Sequence, residues 1–532
     1  MRMLSAPFSI GLIGLIALMI AGGGIYFAQI QNVWIDESTQ LSGMKLGINR
    51  LLLWLGGMAI PEFGVPADRM PPISYLIDGF FGRIVGFEPI GLRLLHLFIT
   101  VSGVIALVLM MLKKFGFWAA AATGLFLALS PRLIEVSVEI RAYPIFLAIT
   151  CFQIVMFVNL YEQDRISRLR IAGFALLGLL SAYTHFFGIV ATSAFFTALF
   201  VGAKDRKSAF AVAVIYCGFL ILCSGLVPFI AGANSISSVT ERSTVTASGL
   251  IEFAFKLIGH SSTMLSVPAA LIYFASVALM IGLTLSNVAQ KFYEDGEAAR
   301  ANPVFGLVVA LSSGLCATIA AAFVVRGFDP LKISYNIWVL PLIAVLIGVA
   351  LTAKATGFVK PLQIGFASLL LIGALWTHGT FLGHAGWFVH GPEKTLVRQI
   401  EEAGPGTAVV YEGASWGYGY FPLYWRYRED VPQWLINAEG TSVQRIKRGG
   451  NIESESKPIL ILDQFDHLIY ARIDTRTYVE LRALMISSAT TSEPINNARA
   501  LANYGWRTKS VLEKPGLYWM TSTTLDRKTK PQ

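Results

Sequence analysis

The chain has 532 residues, of which 55% are hydrophobic and 14% charged, and its mean hydropathy is +0.60, a profile that excludes an ordinary soluble enzyme. The formal net charge of +9 calls for no nucleic-acid partner, because much of it comes from basic residues in short connections between apolar runs, where they set orientation in a membrane. Cys151, Cys217, Cys223 and Cys316 all lie within apolar runs, which points away from a disulfide framework or a Cys-based metal site.

Crossing a hydrocarbon core about 30 Å thick takes roughly 20 apolar residues. About eleven runs qualify, near 8–29, 90–112, 117–131, 141–161, 171–184, 186–202, 209–231, 266–288, 304–325, 337–353 and 361–382. The first follows a positively charged start, but it is longer than a secretory core and many spans follow, so it reads as an uncleaved helix. Lys113 and Lys114, then Arg165, Arg168 and Arg170, then Lys204, Arg206 and Lys207, then Lys291 and Arg300, then Lys354 and Lys360 fall in alternating connections. That side is the expected cytoplasmic face. The opposite face then receives 30–89, 132–140, the turn at 184–186, 232–265, 326–336 and everything from 383 onward.

The expected architecture is a polytopic α-helical membrane domain over 1–382 and a small extracytoplasmic α/β domain over 383–532. The first outer loop, 30–89, is too apolar for a solvated linker. Its segments "LGINRLLLWLGGMAI" and "ISYLIDGFFGRIVGF" read as amphipathic helices in the membrane interface. In the tail, "EKTLVRQIEEAG" and "NARALANYG" read as helices, "TAVVYEG" and "PILILD" as buried strands, and "SVLEK" with "LYWMTS" as a closing hairpin.

The loop opens on "NVWIDESTQ", which sets Asp36 beside Glu37 at the mouth of the first span. Adjacent residues cannot share one face of a helix or strand, so the two carboxylates serve different partners. On position alone such a pair marks the water boundary; the cations expected on the same side change the weighting. "SVEIRAYPIF" places Glu139, Arg141 and Tyr143 at the start of the fourth span, and "AYTHFFG" places His185 in a tight turn. Arg326 and Lys332 in "VRGFDPLKISY" and Arg69 in "ADRMPPISY" add further positive charge. An interfacial Arg snorkelling beside an aromatic and a structural His are the blander readings. Carboxylates facing Arg, Lys and His at a bilayer surface would suit a lipid-phosphate substrate, since a guanidinium offers a planar fork of donors to phosphate oxygens. No P-loop, dinucleotide fingerprint or helical His pair is present, and His378, His384 and His390 are spaced for an interface rather than a metal shell.

The order "WIDEST", "MPPISYLI", "GLRLLHLF", "LALSPRLIEVSVEIRAYPIF", "LLSAYTHFFGIV" resembles the polytopic glycosyltransferases of the C superfold. It is most similar to the bacterial branch of the dolichyl-phosphate-mannose protein mannosyltransferases and to related lipopolysaccharide and lipid A glycosyltransferases. The resemblance is strongest over about 30–200, and "ISYNIWVLPLIAVLIGVAL" extends it into the later bundle. It implies that Asp36 is the catalytic base with Glu37 assisting, and that Glu139, Arg141, Tyr143, Thr184 and His185 contact the donor's phosphate and sugar. It also implies a polyprenyl-phosphate sugar donor, an envelope glycan, glycolipid or protein acceptor, a place in a bacterial inner membrane, and no required nucleotide or metal cofactor, although some members of the superfold use a divalent ion. Two departures stand out: Met70 replaces a His common before the paired prolines, and Pro144 follows the Tyr where relatives usually have none. The alternative from another class is a multi-span transporter or flippase of lipid-linked sugars without transferase chemistry, but no internal repeat of the kind such proteins show is visible.

Overall fold

The computed structural model describes residues 6–33, 35–58, 70–163, 167–235, 246–259, 267–324, 330–353, 359–387, 393–412, 428, 430–437, 439–446, 453–475, 501–514 and 518–527. The chain forms two compact units, one of Met1–Ala28, Leu55–Gly57 and Arg69–Gly383, the other of Gln29–Trp54, Met58–Asp68 and His384–Gln532.

The helices in chain order are α1 (Ala6–Ile30), α2 (Ile35–Gly43), α3 (Ile48–Leu55), α4 (Ile73–Val85), α5 (Pro89–Phe115), α6 (Phe117–Ala128), α7 (Pro131–Ser137), α8 (Ala142–Tyr161), α9 (Arg168–Thr184), α10 (Phe187–Val201), α11 (Arg206–Cys223), α12 (Val227–Ser235), α13 (Ala247–Gly259), α14 (Val267–Glu294), α15 (Gly296–Arg300), α16 (Pro303–Val324), α17 (Val339–Thr352), α18 (Val359–Gly383) and α19 (Glu393–Glu401). Each of the eleven expected apolar runs holds a helix among its described residues. Among the described residues seven helices are long and apolar enough to cross a membrane, or eight if the bent pair α6 and α7 is one span. The protein is therefore a multi-pass membrane protein. The other apolar runs are shorter: α9, α10 and α17 have 17, 15 and 14 residues. At 1.5 Å per residue they reach about 21–26 Å, less than the hydrocarbon thickness.

The third run differs from expectation. Its helix stops at Ala128 and the chain turns by 65° into α7, so part of the connection expected over 132–140 is helical. Ser130 caps α7 by accepting from the Leu133 amide at 3.4 Å, and Pro131 follows at the first helical position, where its missing N–H costs nothing. Inside the bundle, close crossings use small residues. A Cβ on Gly103 would fall 2.8 Å from Ala148 Cα, so α5 and α8 touch backbone to backbone, as helices in a membrane do when lipid removes the hydrophobic drive to associate.

α4 carries the expected interfacial segment with an inverted logic. It buries Ser74, Tyr75 and Asp78, while Phe80, Ile84 and Val85 are exposed.

The second unit contains α2, most of α3, α19 and a seven-stranded sheet. The strands are β1 (Thr407–Glu412), β2 (Gln433–Ile436), β3 (Ser442–Ile446), β4 (Lys457–Pro458), β5 (His467–Thr475), β6 (Trp506–Lys514) and β7 (Tyr518–Arg527), in spatial order β4-β3-β2-β1-β5-β7-β6. β1 runs parallel to β2 and β5, and the remaining pairs are antiparallel. Its sequence is apolar without alternation because both of its faces are covered. Val409 and Tyr411 join Leu396 and Ile400 of α19 in one core, while Ala408 and Val410 face Trp434, Leu468 and Trp506 in the other. "SVLEK" and "LYWMTS" form the antiparallel β6–β7 pair as expected.

"PILILD" is a correction: only Pro458 is extended, and Ile459–Gln464 form a 3-10 helix. A strand would have put Asp463 on the same face as Ile459, whereas a three-residue period buries Ile459 and Leu462 against the sheet and leaves Leu460 exposed. Of the helix expected over "NARALANYG", only the part from Leu501 lies within the described residues.

Candidate functional site

The first unit brings Arg141, Tyr143, His185 and Lys332 together from three separate connections. Arg141 is the extended residue just before α8 and is 2% exposed. Tyr143 sits in the first turn of that helix, and Pro144 beside it is tolerated because no intrahelical N–H is needed there. His185 joins α9 to α10 in a turn closed by the Gly188 amide donating to the His185 carbonyl at 2.7 Å. The turn admits only glycine at 188, where a Cβ would lie 2.3 Å from the Ser181 carbonyl carbon.

Rings enclose the histidine. Its centroid is 5.4 Å from Tyr143, 5.0 Å from Phe146 in a stacked arrangement, and 5.4 Å from Tyr335. The Lys332 ammonium stands 5.4 Å from the Tyr335 ring centre, within cation–π range. Burial pushes the His185 pKa down, and the nearby Arg141 and Lys332 charges push it further the same way. The Phe187 amide donates to Nδ1 at 3.2 Å, which leaves Nε2 to carry the proton of the neutral ring. His185 is thus a neutral hydrogen-bond donor near two cations, Arg141 and Lys332. Thr184, paired with it in the sequence reading, donates its hydroxyl to the Leu180 carbonyl at 2.7 Å in its own helix.

Glu139 has a structural setting. Arg132 of α7 reaches Glu135 at 3.3 Å and Glu139 at 3.9 Å, and donates to the Ser334 hydroxyl at 2.6 Å. This guanidinium ties the turn before Arg141 to the segment that carries Lys332. From the other side, buried Asn336 donates to the carbonyls of Pro330 at 2.8 Å and Lys332 at 3.1 Å and accepts from Thr318 of α16 at 3.2 Å. Neither Arg132 nor Asn336 was singled out in sequence, although "SPR" at a helix start was a visible capping signal.

A second support lies behind the turn. His96 of α5 donates through Nδ1 to the Glu139 carbonyl at 2.5 Å, and its Nε2 is 2.7 Å from Asp78 Oδ1, with both side chains fully buried. Each ring nitrogen faces an acceptor, so a proton is held between Nε2 and the carboxyl group. Removing one partner of such a buried pair typically costs 3–5 kcal/mol. His96→Ala is expected to lose roughly that much stability, with Asp78→Asn, which keeps an acceptor, losing less. Denaturation midpoints in detergent, followed by tryptophan fluorescence, check the order.

Asp36 and Glu37 belong to the second unit, where both lie in the first turn of α2. Glu37 is fully buried and Asp36 is partly exposed, the two side chains pointing in different directions from the first turn of α2. Arg69 and Arg326 lie outside the described residues. Among the described residues no three His, Cys, Asp or Glu side chains form a metal-binding group.

The overall fold is similar to that of a solved structure. ArnT from Cupriavidus metallidurans in the apo state aligns with a TM-score of 0.50 and 11% identity, over 96% of this chain and 98% of that one. The chain has an ArnT-like fold. The same ArnT bound to undecaprenyl phosphate aligns at 0.49 with 12% identity over 97% and 98% of the two chains. The oligosaccharyltransferase AglB from Archaeoglobus fulgidus, in complex with an inhibitory peptide and a dolichol-phosphate, aligns at 0.45 with 11% identity over 78% of this chain and 63% of that one. No family model and no curated protein sequence matches the chain.

Proposed function

We propose that the protein is an integral-membrane inverting glycosyltransferase that moves a sugar from a polyprenyl-phosphate donor to a hydroxyl of an envelope glycan, glycolipid or protein. The observation that carries the reading is the convergence of Arg141, Lys332 and the neutral His185 donor within a wall of Tyr143, Tyr335 and Phe146. Cations and a fixed N–H suit a phosphate, and aromatic faces suit the sugar it carries. The connections bearing these groups alternate along the chain with those rich in Lys and Arg, which supports placing the site on the extracytoplasmic side of a bacterial inner membrane.

In the proposed step the acceptor hydroxyl oxygen bonds to the anomeric carbon and its proton passes to the Asp36 carboxylate. The bond from that carbon to the phosphate oxygen breaks on the opposite face, and polyprenyl phosphate leaves with the electron pair. The configuration inverts. The donor is a singly charged diester and the departing group a monoester that gains a second charge, so Arg141 and Lys332 interact more strongly with the transition state than with bound donor. Already an anion, the leaving group needs cations rather than a general acid. Glu37, buried in the first turn of α2, is assigned to positioning.

Purified protein in vesicles, given a panel of radiolabelled polyprenyl-phosphate sugars and envelope extract, is expected to move label to a hydroxyl acceptor and release polyprenyl phosphate one for one. Movement of intact lipid-linked sugar across the bilayer with no release would replace the reading with a flippase.

A further inference from the structure

Away from the candidate site, α6, α14, α17 and α18 line a half-open cavity of about 1000 Å³. This is the upper end of the range for small-molecule sites. Its wall is almost wholly apolar, with Trp118, Leu125, Ile347, Leu351, Ile364 and Leu371 contributing the large surfaces. The cavity lies at the far end of α17. That helix begins next to Tyr335 and Asn336 and ends at Thr352 in the cavity wall, and its 14 residues span about 21 Å.

Apart from Ser368, two turns further along α18, the polar lining residues Thr352, Lys360 and Gln363 lie toward one end and are mostly committed. Gln363 donates to the carbonyls of Ala350 and Ala353, and the Thr352 hydroxyl to that of Val349. Lys360 is the one charged residue among those lining the cavity, it is exposed, and it makes no ion pair among the described residues. It stands in the first turn of α18, where the helix dipole is also positive.

We propose that this cavity is a lipid site for an anionic glycerophospholipid, with an acyl chain between α6, α17 and α18 and the headgroup phosphate on Lys360. A half-open apolar cavity of this size between membrane helices exposes its lining to the bilayer, and a lipid chain seated in it restores the dispersion contacts the lining lacks. The Lys360 ammonium at the mouth selects the headgroup, since a lysine near the membrane surface contributes about 1 kcal/mol toward an anionic lipid, or roughly fivefold. The lipid completes the packing of α18 against α6 and α17 in the leaflet opposite the candidate site. The proposal rests on the membrane location and stands whether or not the chain transfers sugar.

The full-length protein is equilibrated with vesicles of equal phosphatidylglycerol and phosphatidylcholine, extracted in mild detergent, and its retained lipids are counted by native mass spectrometry. Wild type is expected to retain phosphatidylglycerol in preference. Lys360→Gln should lower that preference roughly fivefold and Lys360→Arg should keep it, while Ala122→Phe, which fills the cavity from α6, should reduce retention of both lipids. No preference in wild type, or a preference untouched by Lys360→Gln, overturns the proposal. Displacement of phosphatidylglycerol by an equal amount of undecaprenyl phosphate also overturns it, by assigning the cavity to the carrier lipid.

Discussion

Asp36→Asn is expected to lower sugar transfer by about 10²–10⁴-fold, the range for loss of a positioned general base, while donor binding survives. The substitution keeps size and shape and removes the basic oxygen. A denaturation midpoint measured on the same protein separates chemistry from folding, since an acid in the first turn of a helix itself contributes about 0.3–1 kcal/mol through the dipole. Partial exposure leaves Asp36 reachable by an acceptor, whereas Glu37 is closed off. Glu37→Gln should therefore lower stability more than Asp36→Asn does. The check is initial rate of label transfer at matched membrane expression, with donor binding measured separately. Equal rates for wild type and Asp36→Asn would reduce the acidic pair to a boundary marker and remove the base from the mechanism.

The second large effect is expected at Arg141. Truncation to Ala should slow transfer by about 10²–10³-fold, as for loss of a group that stabilises developing negative charge. The loss should fall mainly on kcat, because the phosphate gains its second charge only as the sugar departs. Arg141→Lys should recover part of the rate, since it restores charge without the planar fork. A rise in KM with unchanged kcat would make Arg141 a binding residue alone. Since Arg141 is buried, the comparison is made on protein whose denaturation midpoint has been measured.

Much of this was legible in the chain. Long apolar runs became helices because a bilayer leaves the backbone few other ways to satisfy its hydrogen bonds. Arg141, Tyr143 and His185 were visible because each sits at the end of such a run, and "THFFG" read as a tight turn. The supports of the site were hidden. Arg132 meets Ser334 across 202 positions, and His96 meets the Glu139 carbonyl across 43, contacts to which no local pattern points. Asp78 was masked by its surroundings, since a carboxyl in an amphipathic segment reads as water-facing, yet α4 turns it inward and exposes Phe80 instead. In the tail, "PILILD" misled because composition alone does not separate a buried strand from a 3-10 turn that lays two of its apolar residues on a sheet.

The strand order of the second unit governs when that unit can fold. β7 is the last strand in sequence, yet it lies inside the sheet between β5 and β6. The seven strands therefore cannot be completed until residues up to Arg527 are on the same side of the membrane as β1. A chain cut short before Tyr518 would leave the nine-residue edge of β5 without its antiparallel partner, an open template for pairing with other chains. Pairings this distant in sequence are slow to form, so the sheet closes only once residues through Arg527 have reached β5.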